Sequence, residues 1–219
     1  MRSLAETRVL RGAGIAAALT TLAACARLTR WPAPPGSLAF VLLLFLWVAF
    51  MLWSFVLGWH EKYSGQPPLA QPRERRWWTI GAAWAIALSL WLCLAVDPQL
   101  RQLRPEEYPV DAISWLANSL FTVAFDPLFL CFAPYAFFIR LSRRPAVAYG
   151  LTVAFAVFVQ FLKLDSAPKL TVPWLATALI FQTAIASSVT VYFYRRGGAW
   201  LVWFISGLVQ LRLLPALLR

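Results

Sequence analysis

The sequence predicts an all-α, polytopic transmembrane helix bundle of six to seven spans, and three observations carry that prediction. Residues 38–59 form a run of twenty-two without a charge. At about 1.5 Å of rise per residue, a helix of that length crosses a hydrocarbon core of roughly 30 Å. Hydrophobic residues make up 61% of the 219, and charged ones only 13%, more apolar surface than a soluble core of this length can use. The net charge of +11 is scattered through short segments between apolar runs. That pattern leaves no basic face with interleaved aromatics, so nucleic-acid binding is excluded, and it fits loops retained on the cytoplasmic side.

The first apolar segment, 12–26, is fifteen residues rich in Ala and Thr behind Arg8 and Arg11. Its Leu22-Ala23-Ala24-Cys25 matches the lipobox at which bacterial lipoproteins are cleaved and acylated, so it reads either as a signal peptide or as a short first helix. The helix is preferred, because a lipoprotein followed by six spans would be unusual. Six strong spans follow, at 38–59, 77–96, 112–138, 146–162, 170–194 and 198–218. Breakers and charges part them: Gln66-Pro67-Pro68 through Arg76, Asp97-Pro98 through Asp111, Arg140 to Pro145, Lys163 to Lys169, and Arg195-Arg196-Gly197. In lipid no backbone donor or acceptor can go unpaired, so each span should be α-helical. Pro127 and Pro134 predict a kink or break inside 112–138. Trp59, Trp77, Trp78 and Trp200 sit at span ends, where an amphipathic indole prefers the headgroup region.

The chain thus divides into a tail with a short first span (1–37), two spans with basic and acidic loops (38–111), and a four-helix membrane core (112–219). Loop charges set the orientation. The loops at 60–76, 139–145 and 195–198 fall on one side and hold nine basic residues, against four in the opposing loops. Positive-inside logic puts the nine in the cytoplasm, and seven crossings then keep Arg2, Arg8 and Arg11 inside as well.

Soluble-enzyme motifs are absent, with no glycine-rich phosphate loop, no paired Cys-x-x-Cys and no His-Glu-x-x-His. Cys25, Cys93 and Cys131 lie in apolar stretches without metal or disulfide spacing and read as small packed hydrophobes. His60, the lone histidine, reads as an interfacial residue, and Glu106-Glu107 as a solvated acidic turn. No metal and no organic cofactor is implied.

Asp126 is the one acid deep within a strong span. An intramembrane acid is a functional-site candidate by default. Its plainer reading is a protonated Asp at the Pro127 kink, bonded to a freed carbonyl. Gln160, Gln182, Ser206 and Gln210 are the other intramembrane polar candidates, with Ser206 and Gln210 four apart on one helix face. Interhelical hydrogen bonding accounts for such residues by itself, and for Asn118, Ser119, Ser187 and Ser188 nothing more is expected.

From about Asp126 to the C-terminus the chain resembles the core of the CPBP family of intramembrane proteases, which includes the type-2 CAAX prenyl endopeptidases. The segment Tyr194-Arg195-Arg196-Gly197-Gly198-Ala199-Trp200 matches the family's basic turn with Gly and Trp. The His-x-x-x-Asn/Asp pair that should follow reads Ser206 and Gln210. The family's Phe-x-x-x-His helix falls near Phe155 to Phe161, with Gln160 the only polar residue and the register off by one. Its Glu-Glu-x-x-x-Arg motif falls on Asp126-Pro127-Leu128-Phe129-Leu130-Cys131, keeping one acid and losing the second Glu and the Arg.

The resemblance implies a bacterial cytoplasmic membrane and a polar pocket at Asp126, Gln160, Ser206 and Gln210. In the family a glutamate activates water while histidines orient it and stabilise the oxyanion. Glutamine and serine cannot cycle a proton near neutral pH as imidazole does. A catalytically silent relative is therefore expected, one that binds a membrane-embedded or lipid-anchored peptide or a partner protein without cutting it. Two alternatives stay open: an endopeptidase of altered chemistry using Asp126, and a small transporter or assembly subunit using the same acid.

Overall fold

The computed structural model describes residues 6–30, 37–72, 74–103, 105, 108–165 and 173–217, and every regular element among them is helical. Six helices are long and apolar enough to cross a membrane, the build of a multi-pass membrane protein. They are α1 (Thr7–Leu28), α2 (Leu38–Ser64), α3 (Arg76–Leu103), α4 (Ala112–Ser142), α5 (Pro145–Asp165) and α6 (Pro173–Gln210). A 3₁₀ segment, Leu211–Leu217, continues α6.

α6 is a helical hairpin. Its backbone leaves helical geometry at Gly198 (φ 65°, ψ −166°). Residues of both limbs, 173–197 and 199–210, line one cavity, among them Ser187 and Ser206. In a straight helix these two serines would stand roughly 28 Å apart at about 1.5 Å per residue. The limbs therefore run side by side. The reversal is fixed from outside by the loop before α3, where the Ala199 amide donates to the Pro68 carbonyl at 2.9 Å.

Segment 12–26 is the middle of the 22-residue α1, longer than expected because Thr7 to Arg11 join the helix. Val9, Ala13, Ala17, Thr20, Ala24 and Leu28 are buried at helical spacing. Small residues let backbones approach closely, which is how helices associate where lipid removes the hydrophobic drive. A methyl on Gly12 would lie 3.1 Å from Leu57 Cδ1 of α2. At the same contact the Trp53 indole donates to the Thr20 hydroxyl at 2.9 Å.

The expected kink at Pro127 takes the form of a wide π turn, Leu128–Phe132, after which the helix runs on through Pro134. Proline removes an intrahelical donor, and a local π adjustment re-satisfies the freed carbonyls. Similar turns occupy Val56–His60 in α2 and Leu92–Val96 in α3. The α4 turn delivers Phe132 to the bundle centre, where its ring stacks on Tyr194 of α6 at 4.5 Å. Outward faces are apolar: Phe40, Leu43 and Leu94 are 67%, 65% and 77% exposed, a surface suited to lipid.

Two span limits differ from expectation. Asp97, expected in a loop, lies within α3, which continues through it to Leu103 and buries it. Arg212 neutralises the carboxylate, and Pro98 falls in the first turn after the π segment, where its missing donor is tolerated. Lys163, likewise expected in a loop, belongs to α5. Residues from the three basic loops, including Ser64, Glu74, Pro145, Arg195 and Arg196, meet around a shared cavity at one end of the bundle.

Candidate functional site

Four helical passes put polar side chains on one cavity of about 450 Å³. α4 supplies Asn118, Thr122 and Asp126, spaced by four and so forming one stripe. α5 supplies Gln160 and Lys163; the first limb of α6 supplies Gln182, Thr183, Ser187 and Thr190, and the second limb Ser206 and Gln210. The four positions of the pocket that the resemblance implies, Asp126, Gln160, Ser206 and Gln210, thus face the same space, as does the fifth polar candidate, Gln182.

Asp126 accepts a hydrogen bond from the Thr122 hydroxyl one turn earlier and lies in the field of Lys163 and Arg27. A second charged group closes the end of the cavity away from the basic loops. There Arg212 Nε meets Asp97 Oδ2 at 3.1 Å, and the Tyr108 hydroxyl donates to Asp97 Oδ1 at 2.9 Å. Burial, and next the negative charge of Asp97, push the Tyr108 pKa well above the usual phenol value, so this hydroxyl stays a donor. Arg212 also donates to the Val209 carbonyl at 3.0 Å, and the Trp115 indole to the Gln210 carbonyl at 3.0 Å. These contacts pin the end of the second limb against α3 and α4, which holds Ser206 and Gln210 in register with Asp126.

Among the lining residues, the cations Arg27, Lys163 and Arg212 face the anions Asp97 and Asp126, three against two, leaving one positive charge in excess. Between the charges stand amides and hydroxyls. The Gln182 Oε1 is buried with no partner, so the wall carries a free acceptor. Each side-chain amide both donates and accepts, which is the hydrogen-bonding capacity of a peptide unit. Among the described residues no group of three His, Cys, Asp or Glu is arranged to hold a metal ion.

His60, expected at the end of its span, is enclosed by other helices. It is 2% exposed, packed between the rings of Tyr135 and Tyr194 at 5.6 and 4.7 Å, and it belongs to the cavity at the basic end. It continues the buried face of Ala49, Trp53 and Val56, which recur at helical spacing along α2. Asn118 and Ser187, expected to do no more than bridge helices, line the Asp126 cavity, whereas Ser188 donates to the Ala184 carbonyl. Asp97 and Lys163 escaped sequence reasoning because they read as loop charges, and Arg27, Tyr108 and Arg212 because nothing in their local sequence marks them. The four-residue spacing Asn118, Thr122, Asp126 was the legible signal for a polar face. Glu106 and Glu107 lie outside the described residues. Comparison of the chain with protein-family models, curated proteins and solved structures finds no match.

Proposed function

We propose that this chain is a non-hydrolytic membrane protein of CPBP-like build, whose Asp126 cavity receives a membrane-embedded or lipid-anchored peptide. The reading rests on one observation: Asp126, Gln160, Ser206 and Gln210, assigned through the family's motifs, line a common cavity that carries amides and hydroxyls and no imidazole. A peptide unwound in the membrane must have its N–H and C=O groups satisfied, and side-chain amides do that without proton transfer. Hydrolysis needs a general base and an oxyanion stabiliser, each contributing about 10²- to 10⁴-fold. Asp126 is the only candidate base on the wall with a carboxylate not already held by Arg212. With the basic loops in the cytoplasm of a bacterial cell, the end bearing Arg27, Asp97, Tyr108 and Lys163 faces outward, and the peptide arrives from that side.

The test uses the purified full chain in nanodiscs with a photo-crosslinkable prenylated peptide as probe. The expected result is crosslinking that weakens in Gln160→Ala and Gln210→Ala, with the peptide intact by mass spectrometry. Cleavage that stops in Asp126→Asn would establish an altered protease instead. Proton flux that depends on Asp126 without peptide capture would make the chain a transporter, and absence of both would leave a scaffold.

A further inference from the structure

The second cavity, about 790 Å³ at the basic end, is separate from the Asp126 site and its lining includes His60, Trp77, Tyr192, Arg195 and Arg196. We propose that it binds the phosphate group of an anionic ligand, anchored by Arg195, Arg196 and His60.

His60 is almost wholly buried and its Nδ1 has no partner within the protein. Buried polar atoms in native structures are nearly always satisfied, so an orphaned nitrogen on a residue that lines a cavity points to a ligand atom that completes it. Arg196 lies over the rings of Trp77 and Tyr192, 5.5 and 5.6 Å from their centroids. Stacking engages the face of a guanidinium and leaves its in-plane N–H donors free for a phosphate oxygen. The acid on this wall, Glu74, is paired with Arg76 at 2.7 Å, so it does not cancel the two cavity arginines. The volume exceeds that of a bare anion and suits a phosphate with its organic substituent. Trp77 at the start of α3 sets the cavity at headgroup depth, open both to lipid phosphate and to a soluble phosphate ester.

The experiment measures phosphatidylglycerol retained by the detergent-purified full chain in native mass spectrometry, with inorganic phosphate as competitor. Wild type is expected to retain the lipid, Arg195→Gln/Arg196→Gln to lose affinity by about tenfold or more, and His60→Phe, which keeps the ring packing, by about threefold. The control pair Arg75→Gln/Arg144→Gln removes equal charge from the same end without touching the cavity wall and should bind as wild type does. Displacement by millimolar inorganic phosphate assigns the site to soluble phosphates; retention despite it assigns the site to a lipid headgroup. Equal losses in the cavity pair and the control pair, or binding of neither probe, overturn the proposal. Circular dichroism on each variant separates loss of binding from loss of fold.

Discussion

Gly198→Ala is the sharpest test of the hairpin. At φ 65° and ψ −166° the residue occupies backbone space reached essentially only by glycine, and a forced side chain there costs about 1–3 kcal/mol. An added Cβ would also strike the Ala70 carbonyl oxygen and sit 3.0 Å from that of Pro68. Both obstacles are backbone, so the loop itself must retreat, breaking the 2.9 Å bond from the Ala199 amide to Pro68 at a further cost of about 1 kcal/mol. The sum is about 2–4 kcal/mol, a large share of the roughly 5–15 kcal/mol typical of a folded chain. Reversible unfolding in mixed detergent micelles measures it. Two comparisons calibrate the loss. Gly197→Ala meets side-chain atoms, Leu201 Cδ2 and Pro72 Cγ at 2.7 Å, and should cost about 1–3 kcal/mol through overpacking. Gly207→Ala meets nothing within 4 Å in a helix and should gain about 0.5–1 kcal/mol. A Gly198→Ala variant as stable as Gly207→Ala would mean that the reversal does not occur there.

Three further outcomes are expected. Asp97→Asn strands Arg212 in a site where the two side chains are only 7% and 15% exposed, and should cost about 3 kcal/mol. A double-mutant cycle with Arg212→Gln should return a coupling above about 1 kcal/mol, and a value near zero would remove the pair from the account of the second limb. Tyr108 has its pKa raised in the folded state, so the native protein holds this proton at pH values where the unfolded chain has released it. Its contribution is complete below about pH 10 and lost as pH rises beyond that, so wild type should destabilise more steeply than Tyr108→Phe in alkaline unfolding curves. Thr20→Val leaves the buried Trp53 indole without its acceptor, and should cost about 1–2 kcal/mol in the same unfolding assay, whereas Thr79→Val, on an exposed site, should be near neutral.

Length and hydropathy made the spans legible, because a bilayer demands about twenty apolar residues of any helix that crosses it. Their ends were not. Asp97 and Lys163 look like loop residues to a hydropathy reading, since charge is costly in lipid. The cost vanishes when a partner such as Arg212, 115 positions away in sequence, supplies the counter-charge. Asp126, Gln160, Gln182, Ser206 and Gln210 could be named because polar residues are rare in these spans. That Gln182, Thr183 and Thr190 share their cavity could not be read, because it follows from a reversal at Gly198 that places one limb of α6 against the other. His60 could be placed at its span end, but its enclosure by Tyr135 and Tyr194 comes from other helices and leaves no mark in the local sequence.

On the proposed reading, amides and a hydroxyl stand where the resembled family has imidazoles, which changes what the cavity can do in one direction only. Hydrogen-bond donors and acceptors remain where a bound peptide would meet them, as at Gln160, Gln182, Ser206 and Gln210. What disappears is a group able to take and return a proton near neutral pH. Binding free energy and proton transfer are separable demands on a site, and the first survives the substitution while the second does not. Asp126 cannot restore the balance alone, because a hydrolytic cycle needs the attacking water held and the developing oxyanion stabilised as well as deprotonation. Lys163 and Arg27 do supply positive charge beside it. A cation that stabilises the resting carboxylate as strongly as the transition state lowers no barrier, since only differential stabilisation accelerates a reaction. On the proposed reading, the charge arrangement suits a site that holds its ligand and releases it unchanged.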